Sequence, residues 1–137
     1  MKKFFKVLLN ILLVVLSAFL MGISFYSYSY AFLAWFSLIF FLYVIFNQKS
    51  IKNVSLYSFL FGLVYFGVHY YWLTVVEKWV GEVGYIGYIA LVIYLSILFV
   101  LFGLASFSFR RDNIERIIAV PFAWLIVEWL QSKGLFA

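Results

Sequence analysis

Cysteine is absent from the 137-residue chain, proline and histidine occur once each, and only 11% of the residues are charged. Without cysteine there is no disulfide framework, no thiolate metal site and no cysteine nucleophile. One histidine and five acidic residues leave little for a metal centre of any other kind. The single proline, Pro121, and the lack of any Ser/Gly-rich tract leave no place for an interdomain linker, so residues 1–137 read as one domain without internal repeats. The shortage of charge excludes more. A soluble domain carries roughly a quarter charged residues, and this chain has too few charged side chains to coat the surface of a water-soluble fold.

What the chain has in abundance is apolar surface: 68% of it is hydrophobic and its mean hydropathy is +1.12. A helix needs about 20 apolar residues to cross a bilayer. Five runs approach or reach that length, at 7–23, 28–46, 56–76, 85–109 and 114–130. The expected fold class is therefore all-α, a polytopic transmembrane bundle of about five helices. The connections at 24–27, 47–53, 77–84 and 110–113 are short, which makes sequential helices antiparallel neighbours. Residues 25 to 30 place Tyr26, Tyr28 and Tyr30 where Trp79 and Tyr85 also fall, as an aromatic belt at the outer interface requires.

The net charge of +5 invites a nucleic-acid reading, but the basic residues lie between the apolar runs. With the N-terminus in the cytoplasm, Lys2, Lys3, Lys6, Lys49, Lys52, Arg110, Arg111 and Arg116 are all inside, leaving only Lys78 and Lys133 outside. Topology thus explains the charge, and no nucleic-acid partner is needed. Glu77 and Glu82 share the outer loop with Lys78. The start, Met-Lys-Lys-Phe-Phe-Lys, also suits a secretory signal with Ser29-Tyr30-Ala31 as a loose cleavage site. The apolar run extends past the usual length of such a segment and bulky tyrosines precede Ala31, which favours an uncleaved first helix.

Two ionisable side chains sit within apolar runs. Glu128 is the sharper, because a carboxyl in hydrocarbon requires a partner or a function. Pro121, Trp124 and Glu128 are spaced three and then four residues apart and share one helix face. A location at the water-facing helix end explains the acid equally well. His69 lies mid-run with Trp72 a turn further on, beside Tyr70 and Tyr71; the structural reading is a neutral imidazole bonded across helices for about 1 kcal/mol. Gly62, Gly67, Gly81, Gly84 and Gly87 follow neither the G-x-x-x-G spacing nor a nucleotide-binding turn and read as packing and turn residues. The aromatic residues, 25% of the chain, exceed what interface belts use, and fit either packing or an acyl-chain groove.

Two segments go further. Ser58-Phe-Leu-Phe-Gly62-Leu-Val-Tyr-Phe66-Gly67-Val-His-Tyr-Tyr-Trp72 resembles the third helix of bacterial apolipoprotein N-acyltransferases, and Pro121-Phe-Ala-Trp124-Leu-Ile-Val-Glu128-Trp129-Leu130 resembles their Pro-x-x-Trp-x-x-x-Glu segment. Their order agrees with that family, as do the loops and the aromatic fourth helix around Tyr94. Gln131 stands where the family commonly has Arg, and Ser24 to Ser29 replace a proline-containing turn. The resemblance implies a full-length enzyme of the bacterial inner membrane. Such an enzyme takes an acyl chain from a phospholipid, holds it as a cysteine thioester and passes it to the α-amine of a diacylglyceryl-cysteine lipoprotein. It implies no cofactor. It places the catalytic Cys, Glu and Lys in a nitrilase-like domain downstream of residue 137, so no residue here is catalytic. His69, Tyr71, Trp72, Trp124 and Glu128 become candidates for a substrate groove or its packing. The competing reading is a small non-enzymatic membrane protein, a transporter fragment or assembly subunit, although broken helices and repeated halves are not visible.

Overall fold

In the computed structural model, residues 2–109 and 113–133 are described, and all are helical or connect helices. Five long helices follow one another: α1 (Lys2–Ser24), α2 (Leu33–Phe46), α3 (Ile51–His69), α5 (Glu82–Ser108) and α6 (Asn113–Ser132), with the four-residue α4 (Glu77–Val80) ahead of α5. The side chains of Lys2, Lys3, Glu77, Arg110, Arg111 and Arg116, used above in the charge argument, lie outside the description, as does most of the 110–113 connection.

All five expected runs are helices, with shifted ends. The second run does not begin at residue 28: Tyr28–Tyr30 form a separate 3₁₀ turn capped by Ser27, and α2 starts at Leu33. The third is displaced toward the N-terminus. Ser50 is an extended cap, α3 starts at Ile51, and the helix gives way after His69 to a 3₁₀ segment at Tyr71–Val76. Hydropathy reports where apolar residues are and not where the backbone changes pitch: polar residues 51–53 open α3 instead of closing the loop before it, and the apolar run continues past the helix into the 3₁₀ segment. Gly81, with φ +67°, makes the turn into α5 that a residue with a Cβ adopts only under strain.

Length and composition suit three of these helices to crossing a membrane, at Phe4–Ser24, Ile51–His69 and Glu82–Ser108. Leu33–Phe46 and Ile118–Ser132 are apolar but shorter. At 1.5 Å per residue α2 spans about 21 Å, less than the ~30 Å of a typical hydrocarbon core.

Contacts along the helices establish their directions. Tyr88 donates its hydroxyl to the Gly67 carbonyl (2.6 Å), Gly62 faces Ser96, and Gly103 faces Ser58, so α3 and α5 are antiparallel. Ser17 donates to the Ser37 carbonyl, which pairs α1 with α2. Tyr26 donates to the Val68 carbonyl (2.7 Å), while Val7 and Ile11 meet Asn53 and Tyr57 in a shallow cleft, so α1 runs parallel to α3. Lys6, Lys49 and Lys52 therefore gather at one end of the bundle, and Tyr26, Tyr28, Trp79 and Lys133 at the other.

That grouping fits a basic cytoplasmic face, and the absence of native cysteine makes it directly measurable. Single Lys49→Cys and Lys78→Cys variants, both at exposed positions, should react oppositely with a membrane-impermeant maleimide added to intact cells. Residue 78 is labelled and residue 49 is labelled only after lysis; the reverse pattern would invert the topology.

The core is aromatic and threaded by small residues. Phe41, Phe61, Phe99 and Phe102 are buried, with Phe61 and Phe99 stacked at 4.6 Å and 8°. Ser58 and Gly62, four residues apart on α3, let the α5 backbone approach: a Cβ on Gly62 would stand 2.7 Å from the Ser96 Cα. Two of the buried serines are tolerated because their hydroxyls bond back to their own helices, Ser58 to the Val54 carbonyl (2.7 Å) and Ser96 to that of Val92 (2.6 Å). With no hydrophobic drive between helices in lipid, such close approach and van der Waals fit are what hold them together.

Candidate functional site

Helix α6 repeats buried or half-buried positions at Val120, Ala123, Trp124 and Val127, the spacing of one helical stripe, and lays that stripe against α5. Trp124 is anchored there edge-on to Phe102 (5.3 Å, 89°) and Phe99 (6.0 Å, 81°). These contacts fix its indole and thereby the helix register. Pro121 and Glu128, on the flank of the stripe, are left uncovered. Pro121 lies inside the helix, where the missing N–H removes one backbone hydrogen bond.

The uncovered flank forms one wall of an open groove of about 590 Å³. Pro121, Trp124 and Glu128 line it from α6, Met21 and Phe25 from the end of α1, and Trp35 and Leu38 from α2, with Phe102 as part of its floor. Apart from the Glu128 carboxyl the lining is apolar. On the other side of Trp124 and Glu128 is a small pocket of about 20 Å³ shared with Tyr65, Phe66 and Gln131. Glu128 is thus the ridge between two hollows, and accepts no hydrogen bond from any described residue.

Trp124 and Glu128 are therefore brought together as their spacing requires. His69 stands nearby through intermediaries: its ring meets Phe25 (4.7 Å, 76°), Tyr70 (4.7 Å, 82°) and Tyr65 (5.6 Å). Its buried Nδ1 has no hydrogen-bond partner among the described residues, so the expected bond across helices is not made by this nitrogen. Trp72 does not continue the His69 face, because α3 ends at His69. Tyr71 and Trp72 are exposed on the 3₁₀ segment and line neither hollow. Among the described residues no three His, Asp or Glu side chains gather as a metal site would need.

Several residues of the site were not singled out from sequence. Phe25 falls in the 24–27 connection, where no periodicity assigns it a partner, yet it joins the groove to His69; Tyr65 and Trp35 belong to helices whose faces hydropathy does not distinguish. The serine–glycine spacing at 58 and 62 is a small-x-x-x-small pattern that a search limited to glycine passes over.

An all-helical bundle with several apolar spans and a groove open on its side defines a multi-pass integral membrane protein. More particularly, the chain belongs to the apolipoprotein N-acyltransferase family: the family's N-terminal domain matches residues 17–137. No curated protein and no solved structure matches it.

Proposed function

We propose that this domain is the membrane-anchoring and lipid-access portion of an enzyme that moves an acyl chain from a phospholipid of the bacterial inner membrane to the α-amine of a diacylglyceryl-cysteine lipoprotein. The observation that carries the reading is the position of Trp124 and Glu128. The two residues of the family-like Pro-x-x-Trp-x-x-x-Glu segment stand on the wall of an apolar groove that opens sideways between α2 and α6. An acyl chain can enter such a groove from the bilayer without crossing water, and loses little by leaving lipid for side chains of equal polarity. The chemistry itself requires a nucleophile, and with no cysteine this domain transfers no acyl group alone. In this reading a nitrilase-like domain on the periplasmic side supplies the thioester step. Trp124, Glu128 and the aromatic layer around His69 shape the path to it, while Tyr71 and Trp72, outside the groove, serve the interface with lipid or with that domain.

Glu128→Gln and Trp124→Ala in the full-length enzyme test this. Each should lower lipoprotein N-acylation by about tenfold, the loss of one interaction worth roughly 1.4 kcal/mol, at unchanged protein level. Unaltered acylation in both would retire the groove as a substrate path.

A further inference from the structure

Tyr65 is only 6% exposed, and its ring is held by Phe61, Phe66 and His69 at 6.0, 4.6 and 5.6 Å. Its hydroxyl nevertheless has no hydrogen-bond partner among the described residues. A hydroxyl buried unpaired costs more than a hydrogen bond returns. The small hollow of about 20 Å³ beside Tyr65 is also lined by two other polar side chains, Glu128 and Gln131, with Phe66, Phe99 and Trp124 among its apolar walls. We propose that this hollow is the site of one ordered water molecule, which joins Tyr65 of α3 to Glu128 and Gln131 of α6.

Size, partners and access select this ligand. A buried water needs about 10–15 Å³ and roughly two to four polar partners, and the hollow supplies room for one and three side chains to bind it. An acyl chain does not fit, and a hard cation takes about six or more oxygens, which three side chains do not provide. Glu128 and Gln131 are three residues apart and share a face of α6. The Tyr65 hydroxyl is within reach of the Glu128 charge without a direct hydrogen bond to it. The water accepts from Tyr65, donates to the Glu128 carboxyl and makes its third bond with the Gln131 amide. Its source is near, because exposed Lys133 at the outer end of α6 is about 8 Å along the axis from Glu128. Helix α6 packs mainly on α5. The bridge ties it to α3 as well, and so holds the Glu128 carboxyl in place on its ridge.

The water site does not depend on what the groove carries, and its readouts involve no acyl transfer. The chain has two glutamines, so isotope-labelled glutamine in the full chain, held in nanodiscs, leaves two side-chain amides to follow by NMR. Overhauser contacts between water and the Gln131 amide should carry the sign of a bound water. Gln48, at the opposite end of the bundle and bonded to the Val44 carbonyl (2.9 Å), should meet only fast-exchanging solvent. Tyr65→Phe, which keeps the ring and removes the hydroxyl, should abolish the Gln131 signal. In reversible unfolding by a denaturing detergent it should also lower the folding equilibrium about threefold, which is the roughly 0.6 kcal/mol of a hydrogen bond between membrane helices. That loss should vanish in a Glu128→Leu background, where the bridge is already broken. If Glu128→Leu does not fold, Gln131→Leu takes its place in the cycle. A water contact at Gln131 no longer-lived than that at Gln48, or one that survives Tyr65→Phe, overturns the site. So does a loss that persists undiminished in the second background. Coupling between residues 65 and 128 without the Gln131 signal overturns it too, because the two side chains then bond directly.

Discussion

Replacing Phe99 by alanine is expected to cost the bundle about 2–3 kcal/mol, read as a shift in reversible unfolding by a denaturing detergent. Phe99 is only 1% exposed and is the hub of the ring cluster. It stacks on Phe61 of α3 at 4.6 Å, meets Phe41 of α2 at 5.6 Å and Phe102 of its own helix at 5.1 Å, and receives the edge of Trp124 from α6. In water a Phe→Ala change in a core costs about 3–5 kcal/mol. Part of that is transfer out of water, which helices that stay in lipid when separated do not regain. The cavity and the lost ring pairs remain, the latter worth about 0.5–1.5 kcal/mol each. Phe99→Leu, which keeps much of the volume, should cost about 1 kcal/mol. Equal losses for the two variants would mean that ring geometry, and not filled volume, holds the cluster. A loss near zero for both would mean that the helices are held elsewhere. Because Trp124 leans on Phe99 and Phe102, the alanine variant should also disturb the groove wall, so N-acylation by the full-length enzyme should fall along with stability.

Gly62→Leu should be about as damaging, by the opposite route. The nearest atom to a side chain at this position is the Ser96 Cα, with the Ser96 Cβ at 2.9 Å. Backbone cannot swing aside as a side-chain tip does, so the α3–α5 pair must separate along its length. Overpacking costs typically about 1–3 kcal/mol, and the upper end is expected where backbone meets backbone. The Tyr88 bond to the Gly67 carbonyl, five residues along, should weaken with it. Gly87 provides the control: nothing lies within 4 Å of its missing Cβ. Gly87→Ala should leave the bundle unchanged or stabilise it by up to about 1 kcal/mol through helix propensity alone. If both substitutions behave like Gly87→Ala, the close approach of α3 and α5 is not what joins them.

The two variants bracket what can be read from a chain that is apolar nearly throughout. Glu128, Trp124 and Pro121 could be placed on one face from their spacing, because an α-helix imposes that face whatever surrounds it, and the structure keeps all three on one groove wall. The same rule joins Trp72 to His69, and in the structure Trp72 stands on the 3₁₀ segment beyond the end of α3. The rule holds only while the helix continues, and nothing in the apolar run 56–76 announces the change of pitch after His69.

By itself the sequence determined that the protein lives in a membrane, that it is built from about five helices in alternating directions, and that one acidic residue stands out on the last of them. Those properties follow from run length, loop length and the cost of charge in hydrocarbon, each local to a stretch of chain. Which faces meet was decided only by the tertiary structure. In water a helix shows its buried side by being apolar there and polar elsewhere, but in lipid both sides are apolar and the signal vanishes. The choice then passes to fit: Gly62 against Ser96, Gly103 against Ser58, rings of α2, α3, α5 and α6 around Phe99, and Tyr65 and His69 around Phe25. That fit brings Phe25 from the turn after the first helix and Trp35 from the second helix beside Glu128 of the last, and makes a groove from residues that no local pattern connects.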